Sequence, residues 1–545
     1  MSFLPHLGRA KRGAGAAREL GLLESIARSM IHPREARRPA PAPVPVTARS
    51  PRAVVIGAGF GGLAAAVRLG ARGYRVTVVD KLEMAGGRAR VFTEGGFVFD
   101  AGPTVITAPF LLEELWQLAG ERLEDDVTLT PVSPFYRIRF HDGSVFDYSG
   151  SAEAMREQIL RLAPGDLPGY ERFLAHSERI YQVGFEALGD VPFSSALGMA
   201  RVVPAMMALE SWRTVYELVA KYVKDEKLRQ VLSFHPLLVG GNPFSASSIY
   251  SLICFLEREF GVWFAMGGTG AIVRGLVRLI EKLGGEVRLG AEVAEITVDR
   301  GRASGVRLGD GSHLGAEVVV SNADSAWTYR HLIRPEHRSR WTDRRLDSAR
   351  YSMSLFVWYF GTDRTYEDVA HHTILLGPRY RELLDDIFEK KILAEDFSLY
   401  LHRPTATDRS MAPAGCDTFY VLSPVPHLDS GIAWEHKSEP YRRAIERVLS
   451  DAILPELGRH VVASRVLTPQ GFLDDYLSLK GAAFGLEPVL QQSAYFRPHN
   501  ESEDIEHLYL VGAGTHPGAG LPGVLSSARV LDALVPDPAR LTERR

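Results

Sequence analysis

Residues 53–104 read AVVIGAGFGGLAAAVRLGARGYRVTVVDKLEMAGGRARVFTEGGFVFDAGPT, and their order decides the fold. An apolar strand at 53–56 runs straight into Gly57-Ala58-Gly59-Phe60-Gly61-Gly62 and then into an alanine-rich helical stretch. Gly57 allows the tight turn, Gly59 lets backbone approach a pyrophosphate, and Gly62 lets helix and strand pack closely, with the helix N-terminus aimed at the phosphates. A second strand, 75–79, ends at Asp80, where a Rossmann unit needs a ribose-binding carboxylate. A glycine turn alone says little, but strand, turn, helix, strand and acid in this order predict a dinucleotide site. Gly86-Gly87-Arg88 follows a few residues on. Read alone it is an ordinary turn with a solvated arginine. At this position it argues for FAD, because a nicotinamide enzyme has no use for it and a flavoprotein can bring its backbone and guanidinium against the cofactor.

The chain has 545 residues, 46% hydrophobic and 24% charged, enough for two or three domains with large cores. A net charge of -3 gives no electrostatic reason to bind nucleic acid. Cys254 and Cys416 lie far apart with no metal-ligand spacing, which suits two reduced thiols in a cytoplasmic protein. His371 and His372 are adjacent, so on a strand they point to opposite faces, and no metal site is expected.

Residues 1–51 form a basic extension with an amphipathic run at 16–31 and a Pro/Ala-rich linker, suited either to docking on anionic lipid or a partner, or to a disordered extension that the fold does not need. No stretch is long and apolar enough to span a bilayer. Residues 191–212 and 249–266 are unusually apolar. Each reads first as a buried core helix, and second as the wall of a hydrophobic passage or a segment dipping into one leaflet.

The expected architecture is α/β: an FAD-binding Rossmann-like domain, a discontinuous sheet-based substrate domain and a helical, membrane-associating region. The cofactor domain is assembled from 52–150, 265–330 and 494–535. Residues 151–264 supply the helical region, 331–493 the sheet-based domain, and 536–545 a tail. Within 265–330, Gly309-Asp310-Gly311 predicts a hairpin between strands 303–308 and 317–321. Near the C-terminus, a strand at 508–511 meets Gly512-Ala513-Gly514. Too few residues follow for a second nucleotide fold, so this strand is expected to return to the first sheet and offer its glycines to the same cofactor.

Several motifs together resemble bacterial phytoene desaturases, a family within the broader amine oxidase fold. They are Gly57 to Gly62, Gly86-Gly87-Arg88, Asp100-Ala101-Gly102-Pro103-Thr104, the FHPLLVGGNP run at 234–243, Arg497-Pro498-His499-Asn500 and the glycine-rich segment at 512–523. The resemblance covers about residues 52–534. It implies an FAD-dependent, peripheral membrane enzyme that takes phytoene through successive desaturations towards neurosporene or lycopene; the electron acceptor stays open between a membrane quinone and oxygen.

Carried over position by position, the family's FAD contacts fall on Gly57, Ala58, Gly59, Gly61 and Gly62 at the pyrophosphate, and on Asp80 and Lys81 towards the ribose. Gly86, Gly87 and Arg88 approach the pyrophosphate and ribityl chain, with Gly102, Pro103 and Thr104 also among the cofactor contacts. Val287 matches the position whose backbone meets the adenine, and Gly512, Gly514, Pro522, Gly523 and Val524 sit by the ribityl chain and ring. Some relatives carry an Asp–Arg pair considered for acid–base or charge roles. Here the arginine is Arg201, the candidate catalytic residue, and Gly198 stands where the acid would be.

His516 is read as a flavin-side contact or a backbone-bonded loop residue, and His235 as a structural or substrate-wall residue. Other readings keep the flavin but change the substrate: a later carotenoid desaturase, an isomerase, an oxygenase or an amine oxidase. A non-enzymatic lipid carrier of related fold is disfavoured by the intact phosphate glycines.

Overall fold

The computed structural model describes residues 42–542, so the amphipathic run expected at 16–31 lies outside the described residues. The Arg52–Ile56 strand is buried on both faces beyond its first residue, as suits a central strand of a covered sheet. It lies between Arg75–Val79 and Val318–Ser321, with Glu286–Arg288 and Leu508–Leu510 at the edges, and all five strands run parallel. The Phe60–Ala71 helix is buried along its whole length between Thr269–Lys282 and Leu521–Leu534. Its small residues permit that closeness: a Cβ on Gly62 would stand 2.0 Å from the carbonyl oxygen of Gly57. Arg68 on this helix is buried, and its guanidinium is neutralised by Glu114 and Asp532.

The C-terminal strand does return to the first sheet. The hairpin is drawn differently from the sequence expectation. Gly309-Asp310-Gly311 joins Arg302–Leu308 to the short strand His313–Gly315, while Val318–Ser321 enters the parallel sheet beside Arg52–Ile56. All four residues of Val318–Ser321 are buried, which an exposed hairpin arm could not provide.

A second sheet runs in the order Val461–Leu467, Ser354–Thr362, Asp417–Val425, Leu399–His402, His372–Leu376, Tyr136–Phe140, Val145–Tyr148. Its neighbours are antiparallel except His372–Leu376 with Tyr136–Phe140. The last two strands fall inside 52–150, the stretch expected to serve the cofactor domain. Alternating Tyr136, Ile138 and Phe140 are buried in the core of the second sheet, and that burial draws the hairpin there. Ser354–Thr362 divides by alternation: Phe356, Trp358 and Phe360 share a core with the Trp434–Ala452 helix, whereas Leu355, Val357 and Tyr359 face the opposite way.

Residues 191–212 read first as core and second as the wall of a passage, and the structure favours the second, with Val202 and Met206 lining a cavity. In the Ala196–Ala208 helix only Val202 and Ala205 are buried. Leu197, Val203 and Met207 are exposed, as are neighbouring Trp212 and Phe496. Among the described residues no helix is long and apolar enough to cross a membrane.

Candidate active site

One cavity of about 530 Å³ starts at the carboxyl edge of the parallel sheet and continues between the second sheet and the helical region. Its first part is lined by backbone, at Gly57, Gly59, Gly61, Gly86, Gly87 and Gly512. Gly57, Gly86, Gly87 and Gly512 have positive φ, so side chains there would strain the turns as well as fill the cradle. The Asn322 side chain lies among these glycines, its Nδ2 donating to the Gly57 carbonyl at 3.4 Å.

Asp80 lines the same end, and burial raises its pKa. Its oxygens accept from the amides of Ala58 at 2.7 Å and Leu82 at 2.9 Å. A carboxylate oxygen has a second lone pair, so both bonds leave capacity for a ribose hydroxyl. Lys81 also lines the cavity while its ammonium donates to the Asp474 carbonyl at 2.6 Å.

Arg88 is held from behind, Nη2 donating to Ser478 Oγ at 2.5 Å. Burial pushes its pKa down while the nearby Asp324 carboxylate pushes it up, and its Nε has no protein partner. A partly buried guanidinium with a free donor beside glycine amides fits a phosphate or a flavin ring oxygen. Gly102, Pro103, Thr104, Pro522, Gly523 and Val524 all line the passage beyond it. Thr104 Oγ1 lies 2.6 Å from the Tyr420 hydroxyl and 3.4 Å from that of Tyr400, tying this loop to the second sheet.

Ala58, Gly62 and Gly514 do not line the cavity; they stand just behind it. The Ala58 amide is spent on Asp80, Gly62 packs on Gly57, and a Cβ on Gly514 would stand 2.3 Å from Ser325 Oγ. Val287 is a correction. It pairs with Val78 on the edge strand and packs into the parallel-sheet core, and the cavity is lined instead by Ala291, Glu292 and Val293. The chain reaches the cavity only after leaving that strand, a distinction that spacing alone did not carry.

Arg201 is the second correction. It is exposed and lines no part of the cavity. The Ala196–Ala208 helix turns Val202 and Met206, one turn apart, towards the cavity, which points Arg201 away. It is not placed to act on a substrate there.

Past the cradle the walls are apolar. Leu355, Val357 and Leu422 come from the second sheet, and Ile249, Leu252 and Leu256 from the 249–266 stretch. That stretch is therefore a cavity wall as much as core. Glu257 on the same wall is 1% exposed. It accepts from the Tyr136 hydroxyl at 2.6 Å and stands 3.2 Å from His235 Nε2. Burial lowers the His235 pKa, but Cys254 and Glu257 raise it to about 10 overall, and the His235–Glu257 contact braces the wall. His516 lines the cavity with Nε2 bonded to the Leu188 carbonyl at 3.1 Å, and burial lowers its pKa to about 4, keeping it neutral.

His371 and His372 are not separated as strand alternation predicts. His371 lies one residue ahead of the His372–Leu376 strand, and the two ring centroids are 4.5 Å apart. The residues that sequence reasoning missed, Asn322, Asp324, Val293, Tyr400 and Tyr420, carry no local motif and reach the cavity through tertiary packing alone.

Residues 60–530 match the family described as flavin containing amine oxidoreductase. The chain is 51% identical over 494 residues to a neurosporene-forming phytoene desaturase of Cereibacter sphaeroides, covering 90% of this chain and 95% of the relative. It is 50% identical over 485 residues to a lycopene-forming phytoene desaturase of Pseudescherichia vulneris, covering 89% and 99%. A triple mutant of putrescine oxidase shares the fold with a TM-score of 0.61 at 14% identity, covering 91% of this chain and 99% of that one. The glycine cradle, the half-identity to these desaturases and the shared fold converge: the chain belongs to the flavin containing amine oxidoreductase family, within its phytoene desaturase branch.

Proposed function

We propose that this protein is an FAD-dependent phytoene desaturase that introduces successive double bonds into 15-cis-phytoene to give neurosporene or lycopene. The observation that carries the reading is one continuous cavity with a glycine-lined dinucleotide cradle at one end and an apolar passage at the other. Relatives of both product types share half of the sequence.

Gly57, Gly59, Gly61, Gly86, Gly87 and Arg88 would hold the pyrophosphate and ribityl chain, Asp80 the adenosine ribose, and Val293 the adenine edge. Gly512 and residues 522–524 would lie against the ring. When bound, FAD supplies a two-electron acceptor for an allylic hydride, with a proton lost from the neighbouring carbon. A polyene precursor offers no polar group to grip, so the chain's task is alignment and exclusion of water. Leu355, Val357 and Leu422 form one wall, and Leu252 and Leu256 belong to another, together confining the chain so that successive carbons reach the same point. His516, neutral and fixed to backbone, adds no charge to that path.

A free C40 hydrocarbon crossing water would forfeit about 0.8 kcal/mol per CH2 group. The exposed apolar face formed by Leu197, Val203, Met207, Trp212 and Phe496 lies on the outside of the helix whose inner residues Val202 and Met206 line the cavity. That coincidence supports docking of this face in one leaflet, with substrate passing directly from lipid and electrons leaving to a membrane quinone or to oxygen.

The test is anaerobic incubation of the purified, FAD-loaded chain with phytoene in liposomes, with and without added quinone. Flavin bleaching with appearance of phytofluene, neurosporene or lycopene is the expected result. An FAD-loaded protein that neither consumes phytoene nor is reduced by it would refute the assignment and direct attention to later carotenoids.

A further inference from the structure

Four arginines are buried among the described residues: Arg68, Arg338, Arg403 and Arg497. Three of them have acid partners. Arg68 is neutralised by Glu114 and Asp532, Arg338 pairs with Asp343 at 2.9 Å and Arg403 pairs with Asp417 at 3.0 Å. Arg497, 1% exposed, has no acid partner among the described residues. Its Nη2 donates to the Leu486 carbonyl at 3.2 Å, while Nε and Nη1 have no protein partner. The Tyr250 hydroxyl beside it supplies no counter-charge, because burial raises its pKa and keeps it protonated, and nearby His516 is neutral. A guanidinium does not discharge in a protein, and a buried charge left without a partner is strongly unfavourable.

Arg497 opens the Arg497-Pro498-His499-Asn500 motif, and that motif holds the loop at 510–518. Asn500 Nδ2 donates to the His516 carbonyl at 2.9 Å, and Thr515 Oγ1 donates to the Pro498 carbonyl at 2.7 Å. A Cβ on Gly518 would stand 2.5 Å from Arg497 Nη1, and a Cβ on Gly523 would stand 2.5 Å from the Gly518 carbonyl oxygen. Only Gly518 therefore separates the free edge of the guanidinium from residues 522–524, which line the cavity. Tyr250 and His516, the two side chains that feel its charge, line the same cavity.

We propose that Arg497 is a fixed positive charge behind the flavin-side loop, and that its counter-charge is the one a bound flavin gains on reduction. The inference rests on the placement of FAD proposed above. Hydride transfer to a neutral, oxidised flavin ring adds two electrons and one proton, which leaves one negative charge on the ring. The proton lost from the neighbouring substrate carbon goes to solvent and does not cancel that charge. In a site with little water, a preorganised cation acts across one layer of backbone with weak screening. Arg497 is uncompensated beside the oxidised flavin and compensated beside the reduced one, so its charge makes the flavin easier to reduce. A hydrocarbon without a heteroatom is a poor hydride donor, and such an acceptor suits it. Arg88 differs, because the Asp324 carboxylate near it offsets its charge in both states.

The test uses the full FAD-loaded chain, reduced anaerobically with dithionite beside a dye of known potential. In Arg497→Met the ratio of reduced to oxidised flavin at a fixed potential should fall at least tenfold, which is about 30 mV for a two-electron couple. Arg497→Lys should recover most of that loss, and the exposed control Arg443→Met should match the wild type. In the wild type, the reduced flavin should keep the absorbance of its anionic form at acidities that protonate the free reduced cofactor, a readout that stands even where a variant folds poorly. Equal ratios in the wild type and Arg497→Met, a lysine variant shifted as far as the methionine one, or a wild-type reduced flavin that protonates like the free cofactor would each overturn the inference and leave Arg497 a structural bracket. A wild type that takes up no FAD would overturn it together with the cofactor placement. None of the other outcomes bears on that placement or on phytoene turnover.

Discussion

At the cofactor end of the cavity, Gly57, Gly59 and Gly61 stand within five residues of one another and Gly86 and Gly87 follow one strand later, so the wall is backbone from one short stretch. At the polyene end, Leu252, Leu355 and Leu422 meet from segments far apart in the chain, and the wall is side chain. A pyrophosphate is recognised by directional amide donors, which only a defined local turn can aim. A hydrocarbon is recognised by shape and exclusion of water, which any large apolar residue supplies once the fold has placed it. The cofactor end should therefore fail abruptly on substitution, and the polyene end gradually.

The largest effect is expected at Gly62. A Cβ there meets the Gly57 carbonyl oxygen at 2.0 Å, and neither backbone element can retreat cheaply. Gly62→Ala should cost about 3 kcal/mol of stability and lower the flavin content of purified protein at least tenfold, read by thermal melting and absorbance. Normal flavin content would break the contrast.

An intermediate effect is expected at the outer face of the Ala196–Ala208 helix. Replacing Leu197, Met207 and Trp212 together by serine removes exposed apolar surface without touching the cavity lining. Cosedimentation with vesicles should fall about tenfold or more, since each side chain contributes of the order of 1 kcal/mol to burial in lipid, while flavin content is unchanged. Unaltered vesicle binding would place the docking face elsewhere.

The smallest effect is expected at Arg201. Because it is exposed and points away from the cavity, Arg201→Ala should change kcat by less than about twofold, within the range usual for surface substitutions. A drop of two orders of magnitude would show that the helix rotates in the working enzyme.

Much of the cradle was legible because its signals are local. Glycines at fixed offsets, an acid at the end of the second strand and the late glycine segment are all properties of short stretches, and the parallel sheet that joins them follows from strands buried on both faces. Positions dependent on how the chain leaves an element were not legible. Val287 and Val293 are both valines near the same edge strand, and only the course of the chain after residue 288 puts the second in the cavity. The two apolar stretches at 191–212 and 249–266 read alike and both contribute to the cavity wall, yet only the first also keeps an exposed apolar face. Composition fixes how much apolar surface a helix has, but not what covers it.

The sequence by itself determined a dinucleotide cradle, its preference for a flavin and a return of the C-terminal strand to the first sheet, because these depend on turn sterics and spacing within tens of residues. Only the tertiary structure decided that Arg201 faces outward, that Tyr136 and Phe140 join the second sheet, and that His371, His372 and His402 meet beside Asp100. Those outcomes depend on which buried faces find each other across long chain separations, and local sequence carries no record of that choice.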